Sequence, residues 1–249
     1  MPILKKLNRF LIYCFAIANS IAAFAQDSKL NTASACTYMS ADEKDMIYEI
    51  NRVRSNPTSY LEYLLPLQTE AMNKLKREGK GQKNFSVTFN SKIKNGKTEV
   101  KTDTTWNYAN EEDLKALTTL IADLKKLKPL SILLPDSGIY LAAKKHARDQ
   151  QQHNWTLMHT GSDGSQPWER ITLFSPSMSF GNENIGARSG YGTNTAREMV
   201  LQLLIDAGIP GYGHRYNLLN PQWTHAACSI ELYKGNYWWW IQNFGSVKK

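Results

Sequence analysis

Cysteine is scarce in this sequence, three residues in 249, which excludes a small scaffold held together by several disulfides. Beyond residue 25 no apolar run approaches the length of a membrane span, so the mature chain carries no expected transmembrane helix. With 15 Gly and 9 Pro the chain is too poor in both for a collagen-like or low-complexity polymer. The His-Glu-x-x-His pattern of helical zinc proteases is missing, and no internal repeat is present. Acid is in deficit: 22 Asp and Glu against 30 Lys and Arg leave a formal charge of +8. Few aromatics interleave with the lysines, so nucleic acid is not an expected partner.

What is present starts with a leader. Lys5, Lys6 and Arg9 precede an almost uncharged apolar stretch, Phe10 to Phe24, and Ala23-Phe24-Ala25 places small residues before Gln26. Those are the parts of a secretory signal peptide over residues 1–25, too short to remain as a span. Cleavage leaves 224 residues with a net charge of +5, destined for secretion or the periplasm. It also removes Cys14, leaving Cys36 and Cys228. An oxidising compartment allows these to form one bridge, and two unpaired buried thiols fit the sequence equally well. A lipid anchor on Cys36 is disfavoured, because Cys36 lies too far beyond the apolar stretch.

After an extension over residues 26–39, a single domain is expected over 40–249. Ser40 with Glu43 has capping-box spacing, and Met46, Ile47, Ile50, Val53, Tyr60, Leu61 and Leu64 follow a helical period interrupted at Pro57. Between about residues 66 and 129 the character changes. Phe85 to Phe89 alternates, Asn95-Gly96 signals a hairpin turn, and Glu111 to Lys128 reads as an amphipathic helix ended by Pro129. This hairpin-plus-helix segment holds 13 basic and 8 acidic residues, the whole of the mature excess, and reads as a solvated basic insertion. Further on, Ile139, Ala142, Ala143, His146, Ala147 and Gln150 share one helical face that Asp136 or Ser137 can cap. Short helices are expected over Trp168 to Leu173 and Thr195 to Asp206, and two strands over Trp223 to Tyr233 and Asn236 to Phe244.

Five histidines are the first residues to weigh for chemistry, imidazole being the usual neutral-pH base and metal ligand. His146 and His153 lie seven apart without helical metal spacing, and His225 falls in a strand without an acidic neighbour, so all three read as structural. His159, Glu183 and His214 stand in polar, Gly-rich stretches read as loops, where function concentrates.

The string His159-Thr-Gly-Ser-Asp-Gly-Ser-Gln-Pro-Trp-Glu-Arg-Ile171 resembles the CAP superfamily, especially its bacterial extracellular branch. Gly181-Asn182-Glu183-Asn184-Ile185 resembles that family's Gly-Glu-Asn-Ile element with Asn182 inserted, and Gly213-His214-Arg215-Tyr216-Asn217-Leu218-Leu219-Asn220-Pro221 its Gly-His-Arg element. Tyr237 to Gly245 resembles its aromatic last strand. The resemblance implies an α+β fold, an α-β-α sandwich around a small, mainly antiparallel sheet. It also implies a cavity with two histidines and two acids: His159, Glu183 and His214, plus Asp206 on the helix before the Gly-His element. Glu198 is the rival for the fourth place, two helical turns earlier and expected to face elsewhere.

Two imidazoles with water in the remaining positions make an open Zn²⁺ site, His159 and His214 being the ligands, and other divalent cations fit the same donors. Glu183 and Asp206 would then orient the imidazoles, or one of them would act as base on bound water. The first option describes an extracellular binding or recognition module, acting as a monomer on a small molecule, a lipid or a cell-envelope polymer. The second describes a metal-assisted, peptidase-like hydrolase. A buried polar network that only fixes loops is the third reading.

Overall fold

The computed structural model describes residues 28–94, 97–153, 158–189, 196–233 and 237–248. The expected leader, the Asn95-Gly96 turn and the Lys234-Gly235 connection lie outside the described residues.

Helix α1 (Ala41–Ser55) starts on the expected capping box: Ser40 N–H donates to Glu43 Oε2 at 2.8 Å and Glu43 N–H to Ser40 Oγ at 3.3 Å. Its apolar stripe, Met46, Ile47, Ile50 and Val53, is fully buried. The chain breaks at Pro57 into a single 3-10 turn (Pro57–Tyr60) and resumes as α2 (Leu61–Glu78). Pro66 sits inside α2 without ending it, because the ring faces solvent and water can satisfy the carbonyl it leaves unpaired. Strands β1 (Lys83–Lys94) and β2 (Lys97–Tyr108) then pair only with each other, from Lys83 opposite Tyr108 to Lys94 opposite Lys97.

Helix α3 (Ala109–Lys126) follows β2 directly, and it puts Leu117, Leu120, Ile121 and Leu124 into the main core. Arg215 binds it there. That guanidinium donates to Ala116 O, Thr119 Oγ1 and Asp123 Oδ2 on α3, and to Leu204 O and Ile205 O on a later helix. The charge-rich segment is thus divided, with a helix inside the core and a hairpin outside it.

The central sheet has the order β3 (Leu134–Pro135), β5 (His225–Tyr233), β6 (Tyr237–Val247), β4 (Met178–Ser189). Only the two-residue β3 is parallel to its neighbour; the other pairings are antiparallel. Helix α4 (Ser137–Gln152), capped by Asp136, and α5 (Pro167–Phe174) cover one face. Helix α1, with α6 (Ala196–Ile205) and α7 (Gly213–Leu218), covers the other. The fold is the expected α-β-α sandwich.

Strand alternation divides the tryptophans between the layers: Trp239 packs with Ala143 and Ala147 of α4, and Trp240 enters the main core. A Cβ at Gly186, opposite Trp240, would lie 2.4 Å from its ring, so only glycine lets that indole lie on the strand. Cys36 and Cys228 are free thiols. The bridge the sequence allowed is not formed: Cys36 meets Tyr38 Oη, while Cys228, fully buried, donates to Glu43 O. Burial pushes the Cys228 thiol well above its ordinary pKa.

Candidate functional site

Strand β4 is the edge of the sheet, so groups from both helical layers reach past it. Here the chain forms a cleft of about 1300 Å³ lined by His159, Glu183, Asp206 and His214 together. Glu183 differs from expectation, lying in β4 rather than in a loop. Its Gly-Asn-Glu-Asn context looks like turn chemistry, but Asn182, Glu183 and Asn184 pair in register with Phe244, Asn243 and Gln242. Glu183 and Asn184 are buried there and Asn182 half-buried, and side chains from other elements satisfy them.

One half of the site is a carboxylate held from several sides. Glu183, with no exposed side chain, accepts from Arg170 Nη2 at 3.1 Å (Oε2) and lies 3.1 Å from His159 Nδ1 (Oε1). His146 Nε2, on α4, is 3.6 Å from Oε1 and 2.9 Å from Met158 O. With its amide nitrogen toward the carboxylate, Asn243 adds a bond of 3.1 Å to Oε2. Arg170 also donates to Ser165 O at 2.6 Å and His159 O at 2.9 Å, so one buried guanidinium fixes both the acid and the loop carrying the imidazole. The His146 imidazole is kept below its ordinary pKa chiefly by burial, against the pull of Glu183.

The other half stands on the opposite layer. Helix α6 ends at Asp206, whose φ of 55° is left-handed, a conformation Asp tolerates better than most residues. That turn directs Oδ1 to His214 Nδ1 at 2.7 Å and Oδ2 to the His214 N–H at 2.9 Å. His214 therefore lies in the first turn of α7, tied by two bonds to the residue that stops α6. Glu198 does not hold His214, yet it does line the same cleft, contrary to the expectation that it faces elsewhere.

Asn217 joins the halves: its Nδ2 donates to Glu183 O at 3.2 Å and Asn184 Oδ1 at 2.9 Å, and its Oδ1 accepts from Asn182 Nδ2. The Asn182 side chain makes this bond, and its Oδ1 also accepts from the Glu183 N–H at 2.9 Å. Asn217 thus pins α7 to three consecutive strand-edge residues, Asn182, Glu183 and Asn184.

The Gly-His-Arg-Tyr-Asn helix facing a Glu-Asn strand across one cleft is the arrangement by which sequence relatives can be judged. The sequence pattern of the CAP family, described as the cysteine-rich secretory protein family, matches residues 47–244. The chain belongs to the CAP family. No curated protein matches this CAP chain. Among solved structures it is similar to an outer surface protein from Borrelia burgdorferi, 26% identical over 55% of this chain and 95% of that one, with a TM-score of 0.40. It is also similar to an extracellular protein containing a SCP domain from Bacillus anthracis str. Ames, 20% identical, covering 58% of this chain and 46% of that one, with a TM-score of 0.36.

Sequence reasoning placed His159, Glu183, Asp206 and His214 in one site, and the CAP chain brings all four to one cleft. It gave Arg170 and Asn217 no role; His146, read as structural, is fully buried on α4 with Nε2 2.9 Å from Met158 O, in keeping with that reading. Arg170 and Asn217 both stand inside the quoted motifs, so the strings themselves carried that signal.

A metal would find two donors here. Each Nδ1 is taken up by a carboxylate, which leaves the Nε2 of His159 and of His214 as ligating atoms. Among the described residues no group of three or more His, Cys, Asp or Glu side chains is placed to hold an ion. Two imidazoles alone do not make a closed four-ligand structural zinc centre.

Proposed function

We propose that this CAP domain is a secreted or periplasmic binding module whose cleft takes a divalent metal, Zn²⁺ foremost, together with a small ligand. The observation that carries this reading is the polarity of the two imidazole–carboxylate pairs. The carboxylates are buried, Glu183 at 0% and Asp206 at 2% side-chain exposure, while His159 and His214 are open at 47% and 19%. Imidazoles locked at Nδ1 and accessible at the other nitrogen are prepared ligands. A bound metal would supply Lewis acidity and charge; the chain itself fixes the tautomers and supplies the apolar wall. Ile185, Leu201, Ile205 and Ile209 line that wall, which suits an apolar portion of a ligand such as a lipid. The leader expected at residues 1–25 supports export.

Metal-assisted hydrolysis is the weaker reading, because Glu183 and Asp206 are each already engaged as imidazole acceptors. The test is calorimetric titration of Zn²⁺ into chelator-stripped protein from Gln26 onward, beside the His159→Ala/His214→Ala variant. Stoichiometric binding that disappears in the variant is expected. A folded wild type that takes up no metal, or a variant that binds as well, overturns the metal reading.

A further inference from the structure

The β1–β2 hairpin has no role in the cleft, and it is an unusual object. Among the described residues its strands pair with no other strand, and twelve residues of each extend for about 40 Å. An isolated hairpin of that length is marginal in water unless one face is covered. At its base the body of the domain does not cover it: Phe85 and Trp106 remain 61% and 59% exposed, packed on each other at 5.4 Å, with Lys83 Nζ over the indole at 4.7 Å.

Register and alternation make the hairpin amphipathic. Lys83 opposite Tyr108 and Phe85 opposite Trp106 set one face, and on it by pairing fall positions Val87, Phe89, Ile93 and Val100. The other face holds none of the large apolar positions and takes Lys92, Lys94, Lys97 and Lys101, with only Glu99 and Asp103 in opposition. Lys94 and Lys97 stand directly opposite each other in register, a like-charge pair that destabilises a hairpin by itself. An anionic partner removes that repulsion. A soluble polyanion would answer the lysines but leave the aromatic and β-branched face in water. A bilayer surface answers both, since aromatic and apolar side chains enter the interface while lysines stay among anionic headgroups.

We propose that the β1–β2 hairpin docks the domain flat on an anionic lipid surface, with the Phe85–Trp106 face toward the acyl chains and Lys92, Lys94, Lys97 and Lys101 among the headgroups. The test is co-sedimentation of the chain from Gln26 onward, so that no leader contributes, with vesicles of phosphatidylglycerol and phosphatidylcholine or of phosphatidylcholine alone. Binding to the anionic vesicles, weakened by salt and accompanied by a blue shift of tryptophan emission, is expected. Phe85→Ser/Trp106→Ser and the fourfold Lys→Gln variant at 92, 94, 97 and 101 should each lower partitioning by about tenfold or more while keeping the wild-type melting profile. Four results overturn the proposal: no vesicle binding, equal binding to neutral vesicles, loss in the lysine variant alone (simple polyanion affinity), or self-association that needs Phe85 and Trp106 in place of lipid binding.

Discussion

Arg170→Met isolates the energetic centre of the cleft. The guanidinium is 1% exposed and donates to Ser165 O, His159 O and the Glu183 carboxylate. Its removal deletes those charge-assisted bonds and leaves Glu183, itself fully buried, without its only permanently charged partner among the described residues. Breaking a buried pair in this way costs about 3–5 kcal/mol, most of it from the stranded charge. For a domain of this size each kcal/mol lowers Tm by about 2–4 °C, so a fall of about 6–20 °C is expected. Urea denaturation followed by circular dichroism measures it, with an unchanged m-value as the check that the native state is otherwise intact. The double variant Arg170→Met/Glu183→Gln decides the cause. If the stranded carboxylate dominates, the double variant is more stable than Arg170→Met alone, and the coupling is about 1–3 kcal/mol. A loss under about 1 kcal/mol in the single variant, or strict additivity in the cycle, would refute the account of Arg170 as the group that pairs with Glu183 and holds it in place.

Two other consequences can be measured on the same protein. Burial holds His146 below its ordinary pKa of 6.5, so the unfolded chain takes up the proton first; stability from this group is complete above about pH 6.5 and declines as pH falls toward the folded value. Urea midpoints taken between about pH 7.5 and 5.5 should fall with acidification, and the slope should flatten in His146→Gln; an identical slope would count against burial as the cause. Asp206→Ala removes two bonds to His214 and puts alanine at a left-handed φ, costing about 2–4 kcal/mol in thermal melts, whereas Asp206→Asn, which tolerates that φ and can still accept from the His214 N–H, costs about 1 kcal/mol. On the metal reading, Asp206→Asn also lowers Zn²⁺ affinity by about 10–100-fold, and unchanged affinity would remove Asp206 from that role.

The parts of the fold with strong local signals were legible. The Ser40–Glu43 box, the buried face of α4 and the last two strands follow from spacing alone, because a single layer of contacts decides each. Residues at the cleft were harder for a definite reason. The polar letters around Glu183 describe a turn when read alone, and only Arg170, Asn217 and Asn243, from three distant elements, make them a buried strand. The choice of Asp206 over Glu198 came from the family's pattern, and geometry supplies the physical ground: the residue that ends α6 can turn back onto α7, and one two turns earlier cannot.

Helix α3 sits between two things described separately. It continues β2 without a break, and Arg215 ties it to Leu204 O and Ile205 O, one step before Asp206. Tyr212 Oη, close in sequence to His214, reaches Glu112 on the same helix. The helix that leaves the hairpin is thus bonded to the same turn that positions His214, so the chain-specific segment and the cleft share one support.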